Sequence, residues 1–163
     1  MENNRNNIAC FGKVFWRKLS EGIFLCRVFI SHSEKDNKFV KYVHTACSLL
    51  DIECLVAEYR QQAGTELWNK IQSMIEKSYV VIPILTVNGI KSEWVQREIT
   101  MARTLDKKFI PIVQDIVKKD IPDVLKGKEY ISYNDNDPTE TLIKIALQLK
   151  EMKRNDIGFA THC

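Results

Sequence analysis

Trp94 and Glu98 stand four residues apart in Ser92-Glu93-Trp94-Val95-Gln96-Arg97-Glu98-Ile99. On a helix that spacing puts both side chains on one face, one turn apart. The pair follows the most apolar run of the chain, Tyr79-Val80-Val81-Ile82-Pro83-Ile84-Leu85. A carboxylate beside a large aromatic, in the first turns after a buried strand, lies where open α/β sheets keep their ligands. The same spacing also suits simple packing, with Trp94 in the core and Glu98 on a solvated face. Other chemistries find less support. His32 has no acidic orienting partner or nucleophile motif beside it. There is no Gly-x-Gly-x-x-Gly, so a dinucleotide fingerprint is not indicated. The five cysteines include no Cys-x-x-Cys, and they do not combine with the three histidines into zinc-ligand spacing. No acidic pocket motif points to a phospho-receiver, and Asp36 reads as a helix cap.

The elements that must position the pair alternate. Arg27-Val28-Phe29-Ile30-Ser31 predicts a first strand, followed by a helix from about Asp36 with Phe39, Val40, Val43, Cys47 and Leu50 on its apolar face. Residues 52–57 predict a second strand, and residues 58–64 a polar loop. The next helix is capped by Thr65 and carries Leu67, Trp68, Ile71, Met74 and Ile75 on one face. Residues 79–85 form the third strand, although Pro83 has no N–H for a fully paired central position. Residues 86–91 turn the chain and Ser92 caps the helix of Trp94 and Glu98. Residues 108–113 and 129–132 predict strands four and five. Asp137-Pro138-Thr139-Glu140 starts a last helix, expected to run to about Arg154. Continuous apolar strands separated by helices mean a parallel sheet covered on both faces. The expected fold is therefore α/β and flavodoxin-like, a five-stranded parallel sheet of order 2-1-3-4-5. Its ligand crevice opens at the carboxyl ends of strands one and three, where Ser31-His32-Ser33 and residues 86–91 lie.

Length and composition fit one domain with extensions. The 163 residues, 45% hydrophobic and 28% charged, suit a soluble globular chain with a single core. All of the net charge of +3 falls in residues 1–20, where Arg5, Lys13, Arg17 and Lys18 face only Glu2. The rest of the chain is neutral overall, which gives no basic excess for nucleic acid. Residues 1–25 read as an extension, Asn-rich at first, then basic and amphipathic through Phe11, Val14, Phe15, Lys18 and Leu19. That stretch could touch a membrane surface or a partner; the reading favoured here is a helix lying on its own domain. Residues 26–154 are the folded domain, and 155–163 are expected to be a loose tail. No apolar run spans a bilayer, no signal-peptide core is present, and the cysteine usage suits a reduced, cytoplasmic setting.

Three boxes in order carry a resemblance. Val28-Phe29-Ile30-Ser31-His32-Ser33-Glu34-Lys35-Asp36 resembles the first-strand box of TIR (Toll/interleukin-1 receptor homology) domains. Ala63-Gly64-Thr65-Glu66-Leu67-Trp68 is similar to the end of their BB loop and the helix behind it. Residues 92–99 are similar to the Trp-x-x-x-Glu helix of the NAD-cleaving branch. The resemblance implies cleavage of the nicotinamide–ribose bond of NAD, with NAD as substrate and no cofactor or metal. It gives Glu98 the catalytic position and makes Ser31, His32, Ser33, Arg60 and Trp94 candidate nucleotide contacts. For the three residues after the first strand, a loop that bonds its own backbone is an equal alternative; for Trp94, packing is the favoured one. Where some enzymatic members have basic residues, this chain has Ser33 and Glu34, so phosphate binding falls to Lys35, Arg60, backbone amides or a neighbouring subunit. The resemblance further implies TIR–TIR self-association, a separate sensor or effector partner, and a role in anti-phage defence or immune signalling. A non-catalytic TIR adaptor is the alternative.

Overall fold

Short apolar strands and amphipathic helices alternate as the sequence pattern requires. The computed structural model describes residues 26–57, 65–134 and 136–160, with 153 and 155–160 described by backbone alone. The strands are β1 (Arg27–Ser31), β2 (Glu53–Val56), β3 (Val80–Leu85), β4 (Lys108–Phe109), β5 (Ile112–Gln114) and β6 (Ile131–Tyr133). The helices are α1 (Asn37–Leu49), α2 (Thr65–Lys77), α3 (Glu93–Thr104) and α4 (Pro138–Ala160). Every strand pairing is parallel. The order is β2-β1-β3-β5-β6, with β4 also on β3. This is the expected flavodoxin-like order with one change: the single fourth strand is two short ones.

The break has a local cause. Val80 and Val81 pair with Lys108 and Phe109, and Ile84 and Leu85 pair with Ile112 and Val113. Pro83 and Pro111 both fall in the interval between those two ladders. Neither has an N–H to donate, so the pairing lapses there and resumes beyond it. Pro83 nonetheless sits in the central strand, opposite Ser31 of β1.

Side-chain parity sorts the core into two layers. Val28 and Ile30 of β1, with Val80, Ile82 and Ile84 of β3, pack under Val40, Val43 and Cys47 of α1 and Ile145 and Leu149 of α4. Phe29 and Val81 pack on the opposite face under Leu67, Ile71 and Ile75 of α2 and Ala102 of α3. Further along that face, Leu85 and Val113 meet Val95 and Ile99 of α3. Alternation along a strand therefore puts Ser31, two residues after Phe29, on the α2–α3 face.

The helix ends mostly follow their capping residues. Ser92 Oγ accepts from the Val95 N–H at 3.4 Å. Asp137 Oδ1 accepts from the Thr139 and Glu140 N–H groups at 3.2 and 3.3 Å. Helix α4 continues to Ala160, through residues expected to form a loose tail. No glycine or proline interrupts 139–157, so loss of apolar periodicity after Met152 does not stop the backbone pattern. Residues 1–25, and the loop of residues 58–64 with Arg60, lie outside the described residues. Among the described residues no helix is long and apolar enough to cross a membrane.

Asp36 departs from its expected role. It occupies the residue before α1, but its side chain makes no cap bond. It is buried instead, and it reaches across to the loop after β3. Asp36 Oδ2 accepts from Thr86 Oγ1 at 2.8 Å, and Oδ1 accepts from Asn88 Nδ2 at 3.3 Å. Thr86 Oγ1 in turn accepts from the N–H groups of Asn88 (3.1 Å) and Gly89 (2.9 Å). The tightness of this loop explains Gly89, where a Cβ would lie 2.2 Å from the Ile84 carbonyl oxygen. That obstacle is backbone in a central strand and cannot swing aside. Gly89→Ala is therefore expected to cost about 3 kcal/mol. Urea unfolding of the variant beside the wild type checks this, and an unchanged midpoint would refute the close approach.

Candidate active site

Helix α3 turns Val95, Glu98, Ile99 and Ala102 inward, the i, i+3, i+4, i+7 face of an amphipathic helix. Three of these are apolar. The fourth is a carboxylate with 0% exposure. A buried charge costs heavily unless it is hydrogen-bonded. The fold meets this by parity: Ser31, also at 0% exposure, donates from Oγ to Glu98 Oε2 at 2.5 Å. The contact joins the carboxyl end of β1 to the second turn of α3, at the switch point between β1 and β3 where open α/β sheets bind ligands.

The other candidate residues fall in different places. His32 is buried but turns toward α1, with Nε2 3.3 Å from Asn37 Oδ1. Burial lowers its pKa below the usual 6.5, partly offset by Asn37, the Ile30 backbone and the nearby carboxylates of Asp36 and Glu34. The structure thus groups His32 with the α1 side and does not bring it to Glu98. Ser33 accepts from the Lys35 N–H at 3.4 Å and caps the short turn over residues 34–36, a bond within its own loop.

Trp94 and Glu98 differ in depth despite their spacing. Trp94 is half-buried at the α2 side of α3, with its ring centroid 6.2 Å from that of Trp68. The Arg97 guanidinium lies 4.3 Å from the Trp68 ring centroid and 5.3 Å from that of Trp94. Trp68 is also half-buried, at the edge of the apolar cluster it was expected to join. Sequence reasoning passed over Arg97. The signal available was its place on α3, three residues after Trp94, with the predicted apolar face of α2 close by. It also misread Asp36, whose partners lie fifty residues away and leave no local trace.

A cysteine pair is structural. Cys47 is buried in the α1 layer and Cys54 packs against the same cluster. The Cys54 thiol is pushed up by its contact with Cys47 and by burial, so it stays protonated.

A parallel α/β sheet with a carboxylate at the β1–β3 switch point defines a class of small-ligand or interaction domains. The family is then direct: the TIR-domain family model matches residues 28–147, and the chain belongs to that family. Comparison with curated proteins finds no match. Among solved structures, the chain is similar to the TIR domain of the Toll-related receptor TRR-2 of Hydra magnipapillata. The two share 17% identity over 76% of this chain and 97% of the other, at a TM-score of 0.60. It is similar to the CMP N-glycosidase BcmB of Clostridium botulinum to the same degree, with 20% identity, 75% and 98% coverage, and a TM-score of 0.60. At these identities the likeness is one of fold.

Two outcomes test this description. Between its lowered folded pKa and 6.5, His32 binds a proton only in the unfolded chain, so stability falls as pH drops below 6.5. The slope from this group is at most about 1.4 kcal/mol per pH unit, and above 6.5 it vanishes. Unfolding of wild type and His32→Gln at several pH values should show the variant losing less between pH 7.5 and 5.5; equal losses would count against a buried neutral imidazole. Separately, a double-mutant cycle over Arg97→Ala and Trp68→Leu should return a coupling of about 0.5–1 kcal/mol. Strict additivity would mean that the ring contact contributes nothing.

Proposed function

We propose that this TIR protein cleaves the N-glycosidic bond between nicotinamide and ribose in NAD, with Glu98 as the catalytic carboxylate. The single observation behind this reading is Glu98 itself: a carboxylate retained in the apolar inner face of α3, bonded to Ser31 at the switch point. A charge in that place is costly to keep and adds nothing that leucine would not supply to the core. The chemistry suits one carboxylate. Nicotinamide leaves as a neutral base and needs no strong acid. The ribose acquires oxocarbenium character, and a nearby negative charge stabilises a positive charge that develops mainly in the transition state. Attack by water then gives ADP-ribose, and attack by a nucleophile of the substrate itself gives a cyclic isomer. Trp94, Ser33 and Arg60 are proposed contacts for the rest of the nucleotide. TIR–TIR association and a separate sensor or effector complete the proposal, with anti-phage defence or immune signalling as its setting.

BcmB, described as a CMP N-glycosidase, suggests that the same fold can serve a pyrimidine leaving group. The alternative of a non-catalytic adaptor draws on the full burial of Glu98 and on the likeness to a receptor TIR domain. Concentrated protein incubated with NAD, and in parallel with CMP, separates these readings by the base released. Nicotinamide release, reduced at least about 100-fold by Glu98→Gln with the fold intact, is the expected result. Cytosine alone would move the substrate class. Release of neither base, with or without cell extract, would leave the adaptor.

A further inference from the structure

The amino ends of the strands carry a second concave feature, away from Glu98. It is a cavity of about 430 Å³ between the carboxyl end of α3 and the segment that leads into β6. Such a volume suits a small-molecule site. Its wall includes Lys107, just before β4, and Phe109 of β4. Lys108 between them pairs with Val80, three residues before Pro83, which stands opposite Ser31. At about 3.3 Å per residue the cavity lies roughly 10 Å down the sheet from the crevice. Its lining is rich in cations: Arg103, Lys107, Lys126 and Lys128 outnumber Asp106 and Asp123 by two charges. Two of the four are engaged. Lys107 Nζ donates to the Glu76 and Ser78 carbonyl oxygens at 2.7 and 2.8 Å, at the carboxyl end of α2. Lys126 Nζ lies 2.5 Å from Asp123 Oδ1. Arg103 and Lys128 have no ion pair among the described residues, and they come from different elements.

The backbone on both walls suits an anion. The Lys128 N–H donates to the Leu125 carbonyl oxygen at 3.2 Å, closing a turn whose Gly127 has φ +77°. Lys126, at φ −60° and ψ 136°, makes it a type II turn, which calls for glycine at the next position. A Cβ on Gly127 would meet no atom within 4 Å, so the glycine serves the turn and not close packing. On the other wall, the last carbonyls of α3 would repel an anion if left bare. Three of them already accept N–H groups: Met101 from Leu105, Arg103 from Asp106 and Ala102 from Lys107, at 3.0, 3.0 and 2.9 Å. We propose that this cavity binds a phosphate dianion, free or carried by a small organic molecule, between the Arg103 guanidinium and the Lys128 ammonium. Arginine offers paired N–H donors to phosphate oxygens, and lysine adds a point charge. A dianion matches the excess of two, whereas a monocarboxylate leaves one cation unanswered. Phe109 gives an organic group an apolar surface to lie against. The site does not draw on Glu98 and stands whether or not the protein cleaves NAD.

The test is an amide-resolved NMR titration of the full chain, at constant ionic strength, with inorganic pyrophosphate and separately with ADP. Saturating shifts at the Gly127 and Lys128 amides are expected below about 10 mM. Arg103→Gln combined with Lys128→Gln changes two exposed side chains, so the rest of the spectrum should stay that of the folded wild type. The double variant should bind at least about tenfold more weakly. Tighter binding of ADP than of pyrophosphate assigns the phosphate to an organic carrier, and binding no tighter assigns it to the free ion; either result keeps the site. The proposal is overturned by shifts that sodium chloride reproduces, by no saturation at Gly127, or by undiminished affinity in the folded double variant. Shifts confined to Ser31 and residues 86–91 would place the ligand in the crevice and overturn it as well.

Discussion

One buried carboxylate sets the geometry on which everything else at the crevice depends. Asp36 spends its oxygens on Thr86 and Asn88 and so ties the turn after β1 to the loop after β3. These are the two loops between which a doubly wound sheet leaves its crevice. The tie fixes where the chain enters α3, and the entry fixes which residues of α3 face the sheet. The helix that brings Glu98 to Ser31 begins just after the loop of Thr86, Asn88 and Gly89. A carboxylate suits this work because it accepts from two donors at once, and bonds to a charged acceptor are stronger than neutral ones. Its burial is affordable for the same reason: the donors stand in for the water it loses.

A second carboxylate, Glu98, lies in a different bargain with its surroundings. Asp36 joins elements distant in sequence and has a clear structural return. Glu98 joins β1 to a helix already held by Val95, Ile99 and Ala102, at a place where sealing a carboxylate is costly. Residues that burden the fold without stabilising it are where function is expected to reside. The Arg97 stack on Trp68 and Trp94 belongs with the structural group. It braces α2 to α3 on the outer side while the inner face carries the charge.

Much of this was legible in the sequence because it follows from short-range rules. Apolar runs of four to six residues, Ser92 and Asp137 as caps, and the helical spacing of Leu67, Ile71 and Ile75 place the strands and helices and give the sheet order. What was hidden depends on contacts distant along the chain. Asp36 reads locally as a cap, and nothing near it reveals Thr86. The fourth strand reads as continuous, because the lapse needs Pro83 and Pro111 to fall side by side. The pairing of Ser31 with Glu98 was half legible. Alternation along β1 puts Ser31 beside Phe29 and away from Ile30, and the helical period puts Glu98 beside Val95 and Ile99. Which face of β1 that helix covers is set by tertiary packing and leaves no local mark.

That parity also explains why β1 offers Glu98 a serine and not the histidine beside it. Side chains alternate with a period of two, so a slip of one residue in β1 would offer His32 to Glu98 and turn Ser31 toward α1. A histidine against a buried carboxylate would form a coupled pair whose charge changes with pH near neutrality. A hydroxyl donates to the carboxylate without titrating in that range. The register of β1 on β3, with Val28 on Val80 and Ser31 on Pro83, thus decides which polar side chain of β1 faces α3. The apolar residues on both faces of β1 hold that register, and through it the core determines which polar side chain the carboxylate meets.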